Sequence, residues 1–191
     1  YISQVVGFAD SSGSVDLEDG CLDVAPGQPV VWHEMPEAEI APQMIDTCGQ
    51  QLELTASPSV GDGQWSMLSG PGNAIFDAPT MTASLVTVDI YGTYTFIWTA
   101  QNHGCTDADT VTVSFHAPPQ VQGLPGVDCL ADTDYVLSFT VTGGTPPYTL
   151  IEGEGTLTDS TYTDTLSSGA QYEIAIIDAR GCDTLMVSGS Q

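Results

Sequence analysis

Apolar and polar residues alternate with a period of two along most of the chain, the spacing of strands that bury one face. Tyr94, Phe96 and Trp98 fall on one face, with Thr95, Ile97 and Thr99 on the other. Tyr172, Ile174 and Ile176 repeat the pattern, and so do Tyr135, Leu137, Phe139 and Val141. Leu52, Leu54, Trp65 and Met67 in the middle of the chain, and Tyr148 and Leu150 later, supply apolar faces for an opposing sheet. No window keeps helical spacing for the ~10 residues a helix needs. The best candidate, Glu37 to Ile45, is broken by Pro42. The 20 glycines and 12 prolines that punctuate the chain complete an all-β pattern of short strands and turns.

One strand-loop-strand ending recurs. Gly92 to Trp98 leads through Gln101-Asn102-His103 to Gly104-Cys105, then to Asp109 through Phe115 and Pro118-Pro119. Tyr172 to Ile177 leads through Asp178-Ala179-Arg180 to Gly181-Cys182, then to Asp183 through Val187. A looser copy opens the chain, with an expected strand from Tyr1 to Phe8, an acidic loop from Asp10 to Gly20, Gly20-Cys21, and Pro29 to Trp32 before Pro36. Three such endings imply three module ends, with boundaries at the stiff proline linkers. Residues 1–35 are expected to finish an upstream module, 36–117 to form a second and 118–191 a third.

Charge narrows the partners. Twenty-five acidic residues against one basic residue, Arg180, give a net charge of -24. Such a surface repels a phosphate backbone and an anionic membrane, and it holds no basic cluster to release counterions. Solubility in a salty medium explains the acidity, because screening over about 8–10 Å makes dense like charge tolerable. Divalent-cation binding is the sharper alternative. No apolar run of membrane-spanning length and no signal-peptide pattern occurs, so the segment reads as mature protein. A strand that starts at Tyr1 suggests a polypeptide that continues upstream.

The segment Trp65 to Phe76, followed by Gly92 to Trp98 and Gly104-Cys105, resembles the PKD-like and immunoglobulin-like repeats of large Bacteroidota surface proteins. Thr142-Gly143-Gly144-Thr145-Pro146-Pro147-Tyr148 is similar to the signature of repeats in gliding-motility adhesins of that phylum. The resemblance covers about residues 47 to 187. It departs from the pattern in lacking a tryptophan after Pro-Pro-Tyr and in the enlarged first loop. It implies tandem immunoglobulin-like (PKD-like) β-sandwiches arranged end to end, exported by the type IX pathway. It also implies O-glycosylation of Asp-Ser/Thr-aliphatic (or Thr) sequences at Thr110, Ser160, Thr165 and Thr184, although acidic strands contain such sequences anyway.

Catalytic chemistry is not supported. His33, His103 and His116 lie far in sequence from any candidate nucleophile, and no nucleophile elbow or phosphate loop is present. Glu34 with Glu37, and Glu152 with Glu154, read as solvated loop charge rather than a glycosidase pair. Calcium is the one cofactor with candidate ligands, at Asp107 and Asp109 or in the loop bearing Asp16, Glu18, Asp19 and Asp23. EF-hand spacing is absent. Trp32, Trp65, Trp98 and Tyr148 are the aromatic residues available to a carbohydrate platform, but Trp65 and Trp98 are in phase with the core.

Five cysteines are an odd number for an exported chain. Cys48 and Cys105 occupy the same two places in the second module as Cys129 and Cys182 in the third. Repetition of position therefore pairs Cys48 with Cys105 and Cys129 with Cys182. In a seven-strand sandwich those places lie at opposite ends unless the first cysteine sits on a segment that crosses back. Cys21 is left unpaired within the chain, its partner expected upstream, with a free thiol or a bond between chains as alternatives.

Three functional readings follow: a non-catalytic spacer of an extracellular adhesin or surface fibre, a module that binds glycans or protein through loops such as Asp10 to Gly20 or Gly61 to Gly63, and an accessory region of a secreted hydrolase. The expected partners are further modules of the same polypeptide, then other copies in a fibre or a surface glycan.

Overall fold

The computed structural model describes residues 22–23, 31–57, 60–131 and 133–190. All regular structure in them is β. β1 (Leu22–Asp23) and β2 (Val31–Trp32) form a two-residue antiparallel ladder. The expected strand from Tyr1 to Phe8, the acidic loop and Cys21 lie outside the described residues.

Seven strands follow: β3 (Met44–Cys48), β4 (Gln51–Thr55), β5 (Asp62–Ser69), β6 (Ala74–Phe76), β7 (Ala83–Val88), β8 (Gly92–Asn102) and β9 (Cys105–His116). They form two sheets, ordered β3-β9-β8-β5 and β4-β7-β6. β3 runs parallel to β9, and all the other pairs are antiparallel. Between the sheets lie Leu54, Trp65, Val86, Tyr94, Phe96, Trp98, Val111, Val113 and Phe115, each at most 3% exposed. The Tyr94 hydroxyl donates to the Ile90 carbonyl at 2.8 Å, the corner that fixes the approach to the sixth strand in immunoglobulin-type sandwiches.

Seven more strands repeat the plan: β10 (Pro119–Ala131), β11 (Asp134–Gly143), β12 (Thr149–Glu152), β13 (Thr156–Thr158), β14 (Thr161–Ser167), β15 (Gln171–Ile177) and β16 (Thr184–Ser190). Their sheets are ordered β10-β11-β14-β13 and β12-β15-β16. Tyr135, Leu137, Phe139, Val141, Tyr162, Ile174, Ile176 and Val187 form a separate core. The chain is therefore a tandem of immunoglobulin-like sandwiches. Its first strands differ: β3 joins the sheet of the last strand, whereas β10 pairs with β11.

Met67 keeps its register opposite Phe96 but, near the end of the edge strand β5, is 38% exposed. A β-bulge between Met67 and Ser69 re-aims the end of the edge strand β5. The ring of Tyr94 is covered there by Gly70, where an added Cβ would collide with it.

Candidate functional site at the junction of the sandwiches

Strand direction decides what each end of a sandwich carries. β9 has 12 residues, so at a rise of about 3.3 Å each its ends lie about 35 Å apart. Cys105 opens β9, while Cys48 is paired with His116 at its far end. Cys105 and Cys48 thus sit at opposite ends, which we call head and tail. The second sandwich has the same layout. Cys129 pairs with Tyr135 and Tyr135 with Leu166, next to the turn that enters β15 at the tail, while Cys182 follows the other end of β15 at the head.

The bond is accordingly made between sandwiches. Cys48 is joined to Cys182, with the Cα atoms 5.1 Å apart across a sequence separation of 134. This corrects the expected pairs Cys48–Cys105 and Cys129–Cys182: no segment crosses back, so a bond within one sandwich would have to span its length. Cys129 is free and exposed. Cys105 is disulfide-bonded. The expectation for Cys21 falls outside the described residues.

The loop that delivers Cys182 is shaped by Asp178, which is 4% exposed. Its Oδ2 accepts the Thr145 amide at 2.7 Å and its Oδ1 the Cys182 amide at 3.0 Å. The Ala179 amide donates to the Thr145 carbonyl, and the Gly181 amide to the Asp178 carbonyl. Gly181 takes φ +69°, a left-handed turn that a side chain would disfavour. Burial pushes the Asp178 carboxyl up, but backbone amides from Thr145, Cys182, Gly181 and Arg180 outweigh it and hold the group below its ordinary value.

Beside the disulfide lies a charge cluster. Asp46 Oδ1 is 2.9 Å from His116 Nε2 and 3.5 Å from Arg180 Nη1. The hydrogen bond from His116 is the main cause holding the Asp46 carboxyl below its usual value; slight burial opposes it, and the charge of Arg180 assists. Arg180 is the sole Lys or Arg in 191 residues, and it is placed on the neighbouring sandwich's acid. The sequence reading missed Asp46, His116, Arg180 and Asp178. The available signal was the position of Arg180, two residues before Cys182 in the repeated Gly-Cys loop, where His103 stands before Cys105.

The other candidates take structural places. Asp107 Oδ2 accepts the Ala38 amide and Asp109 Oδ2 the Ile40 amide, each at 2.8 Å, so these two carboxylates hold the lead-in to the first sandwich. Asp16, Asp19 and the side chain of Asp23 lie outside the description. Among the described residues no three metal-ligating side chains come together. His33 and His103 stack with centroids 3.6 Å apart, and the Asn102 amide donates to the Glu34 carbonyl, so the head loop of the first sandwich also holds the segment before it. Trp65 and Trp98 are buried, and the Tyr148 hydroxyl donates to the Gly143 carbonyl. Thr165 and Thr184 are exposed, while Thr110 and Ser160 are half-buried. Residues Gly61 to Gly63 line a cleft of about 670 Å³ with Gln64, Thr80 and Gln101, above the Trp98 ring. No helix among the described residues is long and apolar enough to cross a membrane.

No protein-family model and no curated protein matches the chain. Among solved structures it is similar to the insect immune protein hemolin at 12% identity and a TM-score of 0.52, over 80% of this chain and 45% of that one. The I67–I69 fragment of titin aligns at 13% identity and 0.45, over 81% and 64%. Extracellular domains 3–5 of Drosophila OTK align at 13% and 0.44, over 80% and 60%. At this identity the likeness to hemolin shows the fold alone, a tandem of immunoglobulin domains. The chain spans less than two thirds of each of these three.

Proposed function

We propose that this chain is a non-catalytic spacer in a large extracellular adhesin or surface fibre, working as a stalk whose modules are locked head to tail. The Cys48–Cys182 bond supports the reading. A bond that encloses most of two sandwiches shunts tension: force applied at the two ends of the chain passes through the disulfide and never loads the stretch between the cysteines, which are 134 positions apart. Dense acidity keeps such a rod soluble and repels like rods. Further modules of the same kind, the Bacteroidota source, type IX export and glycosylation at exposed Thr165 and Thr184 belong to this proposal.

Single-molecule stretching tests it. The oxidised chain should release no length from the enclosed stretch. In a Cys105→Ser background, which removes the disulfide at the first head loop, the Cys48→Ser variant should release about 450 Å more, at roughly 3.4 Å for each freed residue. Equal extension of both would remove the mechanical reading. The cleft beside Gly61 to Gly63 favours a second role, binding of a neutral glycan, and saturable binding on a glycan array would establish it.

A further inference from the structure

The bond at the junction gives a rule that can be applied to the second sandwich. Each sandwich carries one cysteine in its head loop, directly after a glycine: Gly104-Cys105 and Gly181-Cys182. Each also carries one at the tail, in the strand that leads into the second strand of the sandwich: Cys48 and Cys129. The tail cysteine of the first sandwich is bonded to the head loop of the next. The tail cysteine of the second is a free, exposed thiol. It lies at the end where β16 leaves the sandwich, as Cys48 lies at the end where β9 leaves, because Cys129 pairs with Tyr135 and Gln171 with Ser190 around that rim. β3 and β10 belong to different sheets, yet both deliver their cysteine to the tail.

We propose that Cys129 is the docking cysteine for the Gly-Cys head loop of another immunoglobulin-like module, which it binds by a disulfide as Cys48 binds Cys182. The proposal rests on the reading of the chain as part of a modular array, and adds the residue through which the array is joined. The bond requires an oxidant, a small disulfide of the glutathione class. The Cys129 thiolate attacks one sulfur of that disulfide and expels the first small thiolate. The incoming cysteine thiolate then attacks the Cys129 sulfur and expels the second. Two cysteine thiols lose two electrons and two protons, and one small disulfide becomes two thiols.

Two extended chains test this: the 191-residue chain followed by a second copy of residues 118–190, and the same chain followed by residues 36–190, which keeps the two-sandwich unit whole. Each is oxidised with glutathione disulfide, alkylated without reduction and mapped by mass spectrometry. Cys129 of the first copy should be alkylated about tenfold less than in the parent chain, being linked to the head-loop cysteine of the appended copy. Linkage within one polypeptide identifies a following module as the source. The same peptide pair in disulfide-linked multimers identifies a module on another chain, and both support the assignment. Cys129 that stays alkylated in both extended chains, or that links only to Cys129 of another copy, overturns it. Neither result touches the stretching experiment, which reads Cys48–Cys182 alone.

Discussion

Replacing both Cys48 and Cys182 with serine should destabilise the two sandwiches by similar amounts, each measured while the other stays folded. In the ladder Cys48 is the direct partner of His116, where the first sandwich ends. When the second sandwich unfolds and the first does not, the disulfide therefore ties down a loop of about 66 residues, from His116 to Cys182, whose closure entropy corresponds to about 4 kcal/mol. Unfolding of the first sandwich alone is constrained in the same way: the stretch from Cys48 to Pro119 stays anchored at both ends to the folded second sandwich, where Gly144 brings Pro119 beside Asp178 in the loop that carries Cys182, and closing that stretch again corresponds to about 4 kcal/mol. The two transitions separate optically, because Trp65 and Trp98 lie in the first core and the second sandwich contains no tryptophan. Urea titration followed by tryptophan fluorescence reads the first sandwich, and far-ultraviolet circular dichroism reads both. The double variant should show the fluorescence transition and the non-tryptophan transition each displaced to lower urea by about 4 kcal/mol in extrapolated free energy. Displacement of the second transition alone would mean that the first sandwich unfolds without loading the bond. An unmoved second transition would mean that the bond constrains nothing, and either outcome refutes the reasoning.

Asp178→Ala leaves the amides of Thr145 and Cys182 without their acceptor and should cost the second sandwich about 2 kcal/mol in the same titration. Because the Asp178 and Asp46 carboxyls are held below their unfolded values, their contribution is complete at neutral pH. It is lost as pH falls below about 4 through the folded values, so melting temperature should drop on acidification there and stay flat between about pH 6 and 8. Asp109→Ala removes the acceptor of the Ile40 amide and should lower first-sandwich stability by about 1 kcal/mol, equally with chelator and with millimolar calcium; a loss seen only with calcium would restore the metal reading. Gly63→Ala places a Cβ inside the Trp98 ring and should cost about 2 kcal/mol with a shifted tryptophan emission maximum.

Strand identity was legible from local pattern. Tyr94, Phe96 and Trp98, and Tyr135, Leu137, Phe139 and Val141, are all buried as their alternation requires, because a period of two leaves a half-buried strand only one way to face the core. Met67 keeps its register opposite buried Phe96 yet is exposed, because it stands near the end of an edge strand, a position that side-chain periodicity does not encode. The site was much less legible. Repetition of position identified Cys48 with Cys129 and Cys105 with Cys182 as equivalent places, but equivalence does not say which places meet. That depends on strand direction and length: the tail cysteine of one sandwich and its own head loop are a whole strand apart, whereas the next head loop abuts that tail. For the same reason Arg180, Asp46 and His116, separated by up to 134 positions in the chain, became one cluster only in the folded tandem. Alternation along the chain determined two sandwiches; only their packing head to tail decided which cysteines and charges would join them.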